Sequence, residues 1–271
     1  QRLAEGVVEL ARQMAGPDVP IIAAGGLREP AGAIGTDIAL IGEALDAADQ
    51  GDGVLVLMDL GSAILSTEMA RDMLGGDAVD RILLCEAPLA EGAIAAAVQS
   101  RLGAPLAQVA AEARTALIPK QTQLGVAPDV PTMKAVDDLA ARHTLTLTVR
   151  NKLGLHARPA ARFVGTVGGF KADVSVTNDT TGRGPVSALS INGVTTLSVR
   201  GGHTITLRAS GPQAEEALAA VQRLADNNFG DPLEDVVTGT PEAATPTPAE
   251  VEAAAAAPLI DNQPHAGIAA G

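Results

Sequence analysis

The stretch Asn151–Val164, NKLGLHARPAARFV, places a histidine at the start of a predicted helix. Gly154 permits a sharp turn into that helix, and Pro159 fits its first turn, where a missing N–H loses no hydrogen bond. His156 is therefore expected at the helix N-terminus. Unpaired backbone amides and the positive end of the helix dipole favour an anion at that position.

Arg158 adds a permanent positive charge two residues after the histidine. Its planar guanidinium matches the oxygens of a phosphate group, and a neutral imidazole is a competent nucleophile near neutral pH. The small residues around His156 leave room for a donor protein and then an acceptor protein. The pattern indicates a transient phosphoryl site, although a capping histidine without chemistry remains an alternative on these residues alone.

Residues 144–228 predict an α+β unit. TLTLTVR (144–150) alternates polar and apolar residues with period two, which is typical of a half-buried antiparallel strand. A helix from about Ala157 to Val167 follows it. The remaining predicted elements are a strand KADVSVTN (171–178), a short strand near Val186, a short helix from Ser190, a strand HTITLRAS (203–210) and a helix Pro212–Asn227.

This unit resembles HPr, the histidine phosphocarrier of the phosphoenolpyruvate-dependent phosphotransferase system. GLHARPAARFV stands where the family has its active-site motif, and SALSINGVTTLSVRGG matches its second signature region. The resemblance implies an open-faced α+β sandwich in which His156 is phosphorylated and Arg158 steadies the phosphoryl group. It also makes Ser190 a regulatory candidate, for which capping of the short helix is the favoured alternative.

The first part of the chain, residues 1–118, alternates helical and strand-like segments. Continuous apolar strands separated by helices predict a doubly wound α/β domain with a parallel sheet. A linker is predicted over residues 119–143. The helical segments are Gln1–Met14, Ile38–Asp49, Ala63–Leu74, Leu89–Arg101 and Pro105–Ala116, and the strand-like runs are PIIAA (20–24), GVLVLM (53–58) and RILLC (81–85).

Two loops at the carboxyl edge of this sheet form a second candidate site. They are AAGGLREPAGAIGTD (23–37) and MDLGSA (58–63), and neither contains a glycine pattern typical of nucleotide binding. Simple capping of the following helix by the second loop is the alternative. The candidate residues are Gly35, Thr36, Asp59, Gly61 and Ser62.

A second resemblance covers residues 1–118. The order LAEGVVELA, AAGG, GTDIALIGEAL and VLVLMDLGSAILSTEMA resembles the mannose-type IIA fold of DhaM-like phosphotransfer subunits of the dihydroxyacetone kinase system, where fusion to an HPr-like domain is known. Asp59 then matches the carboxylate that orients the active histidine. That histidine and the first strand have no counterpart here, so the resemblance predicts a chain truncated at its N-terminus.

Composition bounds the choice of partners. The net charge of −13 and an aromatic content of 1% disfavour nucleic acid and anionic membranes. Residues 145–228 hold nine Lys and Arg against five Asp and Glu, so a basic unit lies between acidic ones. Cys85, alone in an apolar run, predicts a buried thiol and a cytoplasmic protein.

The last segment, residues 229–271, is rich in Pro, Ala, Thr and acidic residues. This composition predicts a flexible linker. HAGIAAG at its end resembles the opening of an Enzyme I-like domain, which implies that such a domain follows in the intact protein.

Together the resemblances imply a phosphoryl relay without a bound cofactor, in which phosphohistidine is the covalent intermediate. His156 would accept phosphate from Enzyme I and pass it through a IIA-like histidine to the ADP-binding subunit of dihydroxyacetone kinase. A homodimer through the IIA-like domain is left open. The alternatives are a regulatory HPr-like binding module and a mannose-type component of sugar transport.

Overall fold

The structure, a computed structural model, describes residues 2–29, 33–126 and 143–231. All of them lie in one unit of tertiary contacts. In its first half two short strands pair in parallel, with Val54 opposite Ile82 and Leu57 opposite Cys85. The elements are α1 (Arg2–Ala15), α2 (Ile38–Ala48), β1 (Val54–Leu57), α3 (Gly61–Leu74), β2 (Ile82–Cys85), α4 (Leu89–Arg101), α5 (Leu106–Arg114) and α6 (Ile118–Gln123).

Small side chains dominate the packing of this half. Ala11 and Ala15 of α1 meet Ala93 and Ala97 of α4 in one buried cluster, because alanine lets two helices approach closely. A second cluster joins α2 and α3 to the strands. It consists of Ile41, Leu45, Val54, Ala70 and Ile82.

Two local predictions for this half are wrong. PIIAA (20–24) joins no strand ladder among the described residues, and the only pairing nearby is a single bridge between Gly26 and Thr36. A strand needs a hydrogen-bonded neighbour, and β1 pairs within the described chain only with β2. The predicted linker begins instead with α6, because a proline is tolerated in the first turn of a helix. Residues 127–142 of that linker lie outside the described residues.

The second half contains a four-stranded antiparallel sheet. Its strand order is β3-β6-β4-β5, and His143 lies opposite Ala209. Every predicted element of this half is present within a few residues of its expected bounds. The elements are β3 (His143–Thr148), α7 (Ala157–Gly168), β4 (Asp173–Asn178), β5 (Arg183–Ser187), α8 (Ile191–Thr196), β6 (Thr204–Ser210) and α9 (Ala214–Asp226).

One face of this sheet is buried and the other is polar. Phe163 of α7 and Val221 of α9 are fully buried against Ile205 and Leu207 of β6. On the opposite face the hydroxyls of Thr146 and Thr206 are 2.9 Å apart and exposed. The predicted fold class, a parallel α/β part followed by an open-faced α+β part, is therefore confirmed.

The two halves share part of one core. Ala95 and Val98 of α4 belong to the same buried cluster as Phe163 and Val167. Next to them, Gln99 is only 2% exposed. Its Nε2 donates to the backbone oxygen of Leu189 at 2.6 Å. A buried amide that is satisfied across the boundary fixes α4 against the loop before α8.

Candidate functional site

His156 is the N-cap residue of α7, in extended backbone conformation. Gly154 has φ +70°, and a Cβ there would overlap the carbonyl oxygen of Val199. The backbone N–H of Leu155 donates to that same oxygen at 3.1 Å. Only glycine fits a backbone turn this close to Val199. The turn places His156 where α7 begins.

The imidazole of His156 is not used for capping. Its side chain makes no hydrogen bond to the first turn of α7 and is 43% exposed. The first turn contains Ala157, Arg158 and Pro159, and the proline has no N–H to satisfy. The helix therefore presents its positive end beside an accessible imidazole ring.

Arg158 is exposed on the first turn of the same helix. One of its terminal nitrogens, Nη2, donates to Oε1 of Gln13 in α1 at 3.3 Å. This contact is made by one nitrogen of the guanidinium fork, so other N–H groups remain to bind oxygens of an incoming anion. The structure thus brings the two leading sequence candidates onto one helix terminus.

Asp231 belongs to this site, although nothing in its sequence context indicated it. Its Oδ2 lies 3.7 Å from Nε2 of His156 and accepts a hydrogen bond from Nδ2 of Asn151 at 3.0 Å. The sequence assigned every residue after 228 to a flexible linker, and this is wrong for the first of them. Phe229 is fully buried in the core, and its burial holds the chain against α7.

Ser190 is the N-cap of α8, as the capping interpretation predicted. Its Oγ accepts a hydrogen bond from the backbone of Gly193 at 2.9 Å. The same hydroxyl donates to Oε1 of Glu112 in α5 at 2.7 Å, which the sequence did not indicate. Ser190 is only 7% exposed, so it lies at a contact between the two halves.

Glu112 is the centre of that contact. The backbone N–H of Asn192 donates to its Oε1 at 3.0 Å, and Nδ2 of Asn192 donates to its backbone oxygen at 2.7 Å and to Oγ1 of Thr115 at 3.0 Å. Burial raises the pKa of the Glu112 carboxyl above its usual value, and the hydrogen bonds from Ser190 and from the backbone of α8 oppose that rise. The contact therefore joins a partly desolvated acid to the start of α8.

The candidate loops of the first half are only partly brought together. Gly35, Thr36 and Asp59 line a common cavity of about 1730 Å³, whereas Gly61 and Ser62 lie exposed in the first turn of α3 and do not line it. Capping of α3 by these side chains is not observed: Oδ1 of Asp59 accepts from the backbone of Leu60, and the helix has no side-chain cap.

Cys85 and His203 are both withdrawn from solvent, fully and in part. Cys85 is 1% exposed, which confirms the buried thiol. His203 is partly buried: its Nδ1 lies 3.1 Å from Nδ2 of Asn178, and desolvation, followed by the charge of Arg200, lowers its pKa. His265 lies outside the described residues.

Within the described part of the chain, no cluster of three or more His, Cys, Asp or Glu side chains is arranged to hold a metal ion. Over the same residues, no helix combines the length and the apolar character that crossing a bilayer requires.

Two family models match the chain. The model described as PTS HPr component phosphorylation site matches residues 143–227, and the model described as PTS system fructose IIA component matches residues 1–110. The two matches coincide with the antiparallel and the parallel parts of the fold.

Similar proteins carry related names. A protein of Klebsiella michiganensis, the PEP-dependent dihydroxyacetone kinase phosphoryl donor subunit DhaM, is 41% identical over 249 residues, which cover 90% of this chain and 52% of that protein. A Listeria innocua protein, the phosphoryl donor subunit DhaM of PEP-dependent dihydroxyacetone kinase 2, is 36% identical over 100 residues, 37% of this chain and 78% of that protein.

Among solved structures, HPr-C-His from Thermoanaerobacter tengcongensis is 40% identical, with a TM-score of 0.31, and the match covers 34% of this chain and 99% of that one. The chain spans about half the length of the longer curated relatives that it matches.

Proposed function

The chain belongs to the family of DhaM phosphoryl donor subunits of PEP-dependent dihydroxyacetone kinases, and on this premise we propose that it relays phosphoryl groups through His156. Enzyme I is the donor. A histidine of the IIA-like domain is the next carrier, and the ADP-binding subunit of the kinase is the final acceptor. None of the four histidines of this chain is proposed for the IIA-like role.

The observation that carries the proposal is the accessible imidazole of His156 at the N-terminus of α7. A histidine that served only as a cap would direct its ring to the backbone amides of the first turn. This ring makes no such bond, and the amides remain available to an anion. Arg158 supplies a fixed positive charge on the same turn.

The proposed step is a nucleophilic displacement at phosphorus. A lone pair on the ring of His156 attacks the phosphoryl group of the donor, the donor's N–P bond breaks, and its electron pair returns to the donor nitrogen. The phosphoryl group arrives with about two negative charges. The helix terminus and Arg158 hold this charge, which lowers the free energy of the phosphorylated form without trapping it.

The charge of this half favours an acidic partner protein at His156. Residues 145–228 have a net charge of +4. Opposite charges raise the rate at which two proteins meet.

Labelling with phosphate tests the proposal. The whole chain is incubated with Enzyme I and with phosphoenolpyruvate that is radiolabelled in its phosphoryl group, beside His156→Ala and His143→Ala. His143 is a matched control because it is exposed at the start of β3. We expect label in the parent chain and in His143→Ala and none in His156→Ala. Label that persists without His156 would refute the assignment.

A further inference from the structure

The segment that follows α9 has a strained backbone. Asn228 and Phe229 have φ values of +53° and +52°, and Gly230 follows with +76°. Two consecutive residues other than glycine in this region are uncommon, and such conformations persist only where surrounding contacts hold them. The segment therefore turns sharply back toward α7 at a cost in backbone energy.

Burial of one side chain and two hydrogen bonds hold this turn. Phe229 is fully buried in the core, and Nη1 of Arg162 in α7 donates to its backbone oxygen at 3.1 Å. Nδ2 of Asn228 lies 3.4 Å from the backbone oxygen of Asp231. The result of the turn is to place the side chain of Asp231 beside His156, with only 11% of that side chain exposed.

One buried amide links the carboxylate to the loop that presents the histidine. Nδ2 of Asn151 donates to the backbone oxygen of Gly154 at 2.6 Å and to Oδ2 of Asp231 at 3.0 Å. Asn151 is itself fully buried. The same oxygen of Asp231 faces Nε2 of His156 at 3.7 Å, so the hydrogen bond from Asn151 holds it beside the ring.

We infer that Asp231 is a positioning residue that keeps the proton of neutral His156 on Nε2 and leaves the lone pair on Nδ1. The group that faces one ring nitrogen of a histidine decides which nitrogen carries the proton. A carboxylate only accepts hydrogen bonds, so it favours an N–H at the nitrogen it faces. This inference rests on the proposed function.

The transfer step then needs no proton movement. The lone pair on Nδ1 forms the bond to phosphorus, and the donor's N–P bond breaks with its electron pair returning to the donor nitrogen. The product ring carries phosphorus on Nδ1 and hydrogen on Nε2, which places a positive charge on the ring. Asp231 faces that charge. When the phosphoryl group leaves, the electron pair of the N–P bond returns to Nδ1 and the neutral ring is restored.

The test replaces Asp231 by asparagine in the whole chain. Asp231→Asn removes the negative charge, while its amide oxygen still accepts from Asn151. Asp226→Asn is the matched control, because Asp226 is an exposed carboxylate at the end of α9 that binds only Gln222 among the contacts described. Nitrogen-15 spectra of the unphosphorylated chains measure the tautomer of His156, and Enzyme I-dependent labelling measures the rate of phosphorylation.

We expect the Nε2–H form to dominate in the parent chain and in Asp226→Asn. In Asp231→Asn the Nδ1–H form should rise, and the phosphorylation rate should fall about tenfold or more, with an unchanged thermal midpoint. An unchanged tautomer ratio overturns the inference, whether or not the rate falls, and so does an unchanged rate or an equal effect in the control. The tautomer is measured without phosphate, so its outcome is separate from failure of the relay itself, which the labelling of the parent chain and of His156→Ala tests.

Discussion

Replacing Ser190 by alanine removes one atom, Oγ, and with it two hydrogen bonds. The first is the bond that Oγ accepts from Gly193 at the start of α8, and loss of an N-cap of this kind costs about 1 kcal/mol. The second is the bond to Oε1 of Glu112 at 2.7 Å, and a hydrogen bond to a charged group contributes about 1.5 to 3 kcal/mol. We expect the free energy of unfolding to fall by about 2.5 to 4 kcal/mol.

A double-mutant cycle separates the two bonds. In the Glu112→Ala background Ser190→Ala can lose only the cap, so its effect should shrink to about 1 kcal/mol, leaving a coupling energy of about 1.5 to 3 kcal/mol. The assay is urea unfolding of the four chains, followed by circular dichroism at one pH. Ser62→Ala is the matched control, since Ser62 lies in the first turn of α3 without a capping bond, and its effect should stay within about 0.5 kcal/mol.

Additivity of the two changes would refute this reasoning. If Ser190→Ala costs the same with and without Glu112, to within about 0.5 kcal/mol, the two side chains do not interact in solution. The contact between α5 and α8 would then not form as described.

Substitutions at Gly154, Glu112 and Arg158 have expected outcomes of their own. Gly154→Ala should lower the free energy of unfolding by more than about 2 kcal/mol, because its φ is positive and its Cβ would overlap Val199, and an unchanged thermal midpoint would contradict this. Burial raises the pKa of the Glu112 carboxyl in the folded chain, so the stability that this shift contributes is fully present below the unfolded pKa and is lost as pH rises through the folded pKa. The free energy of unfolding of the parent relative to Glu112→Gln should therefore fall with rising pH. A flat or rising difference in urea unfolding would count against this. Arg158→Lys keeps the charge but loses the planar fork, so Enzyme I-dependent labelling should slow roughly tenfold at an unchanged thermal midpoint, whereas full speed would show that charge alone suffices.

Local patterns in the sequence were sufficient for most of the fold. The alternation in residues 144–150 predicts β3, and the helical spacing in residues 89–101 predicts α4 with the bounds that the structure has. The histidine at the start of α7 follows from Gly154 and Pro159, because their backbone restrictions act within a few residues. These features depend on residues that are close in the sequence, so the sequence is enough to predict them.

Where the prediction failed, a distant residue decided the outcome. PIIAA (20–24) has the composition of a strand, but a strand exists only when another segment pairs with it. Phe229 continues a stretch that reads as linker, yet it is buried because the core between α7 and α9 has room for its ring. No window of sequence contains that information.

The site shows the same division. The sequence by itself determined that His156 and Arg158 lie together at the N-terminus of a helix, since they are only two residues apart and the signals that start the helix are local. Only the tertiary structure decided that Asp231, far along the chain, faces the imidazole, and that Glu112 binds the hydroxyl of Ser190. The physical reason is that burial and hydrogen bonding act through space, and the energy that brings distant polar groups together is supplied by packing of the whole core.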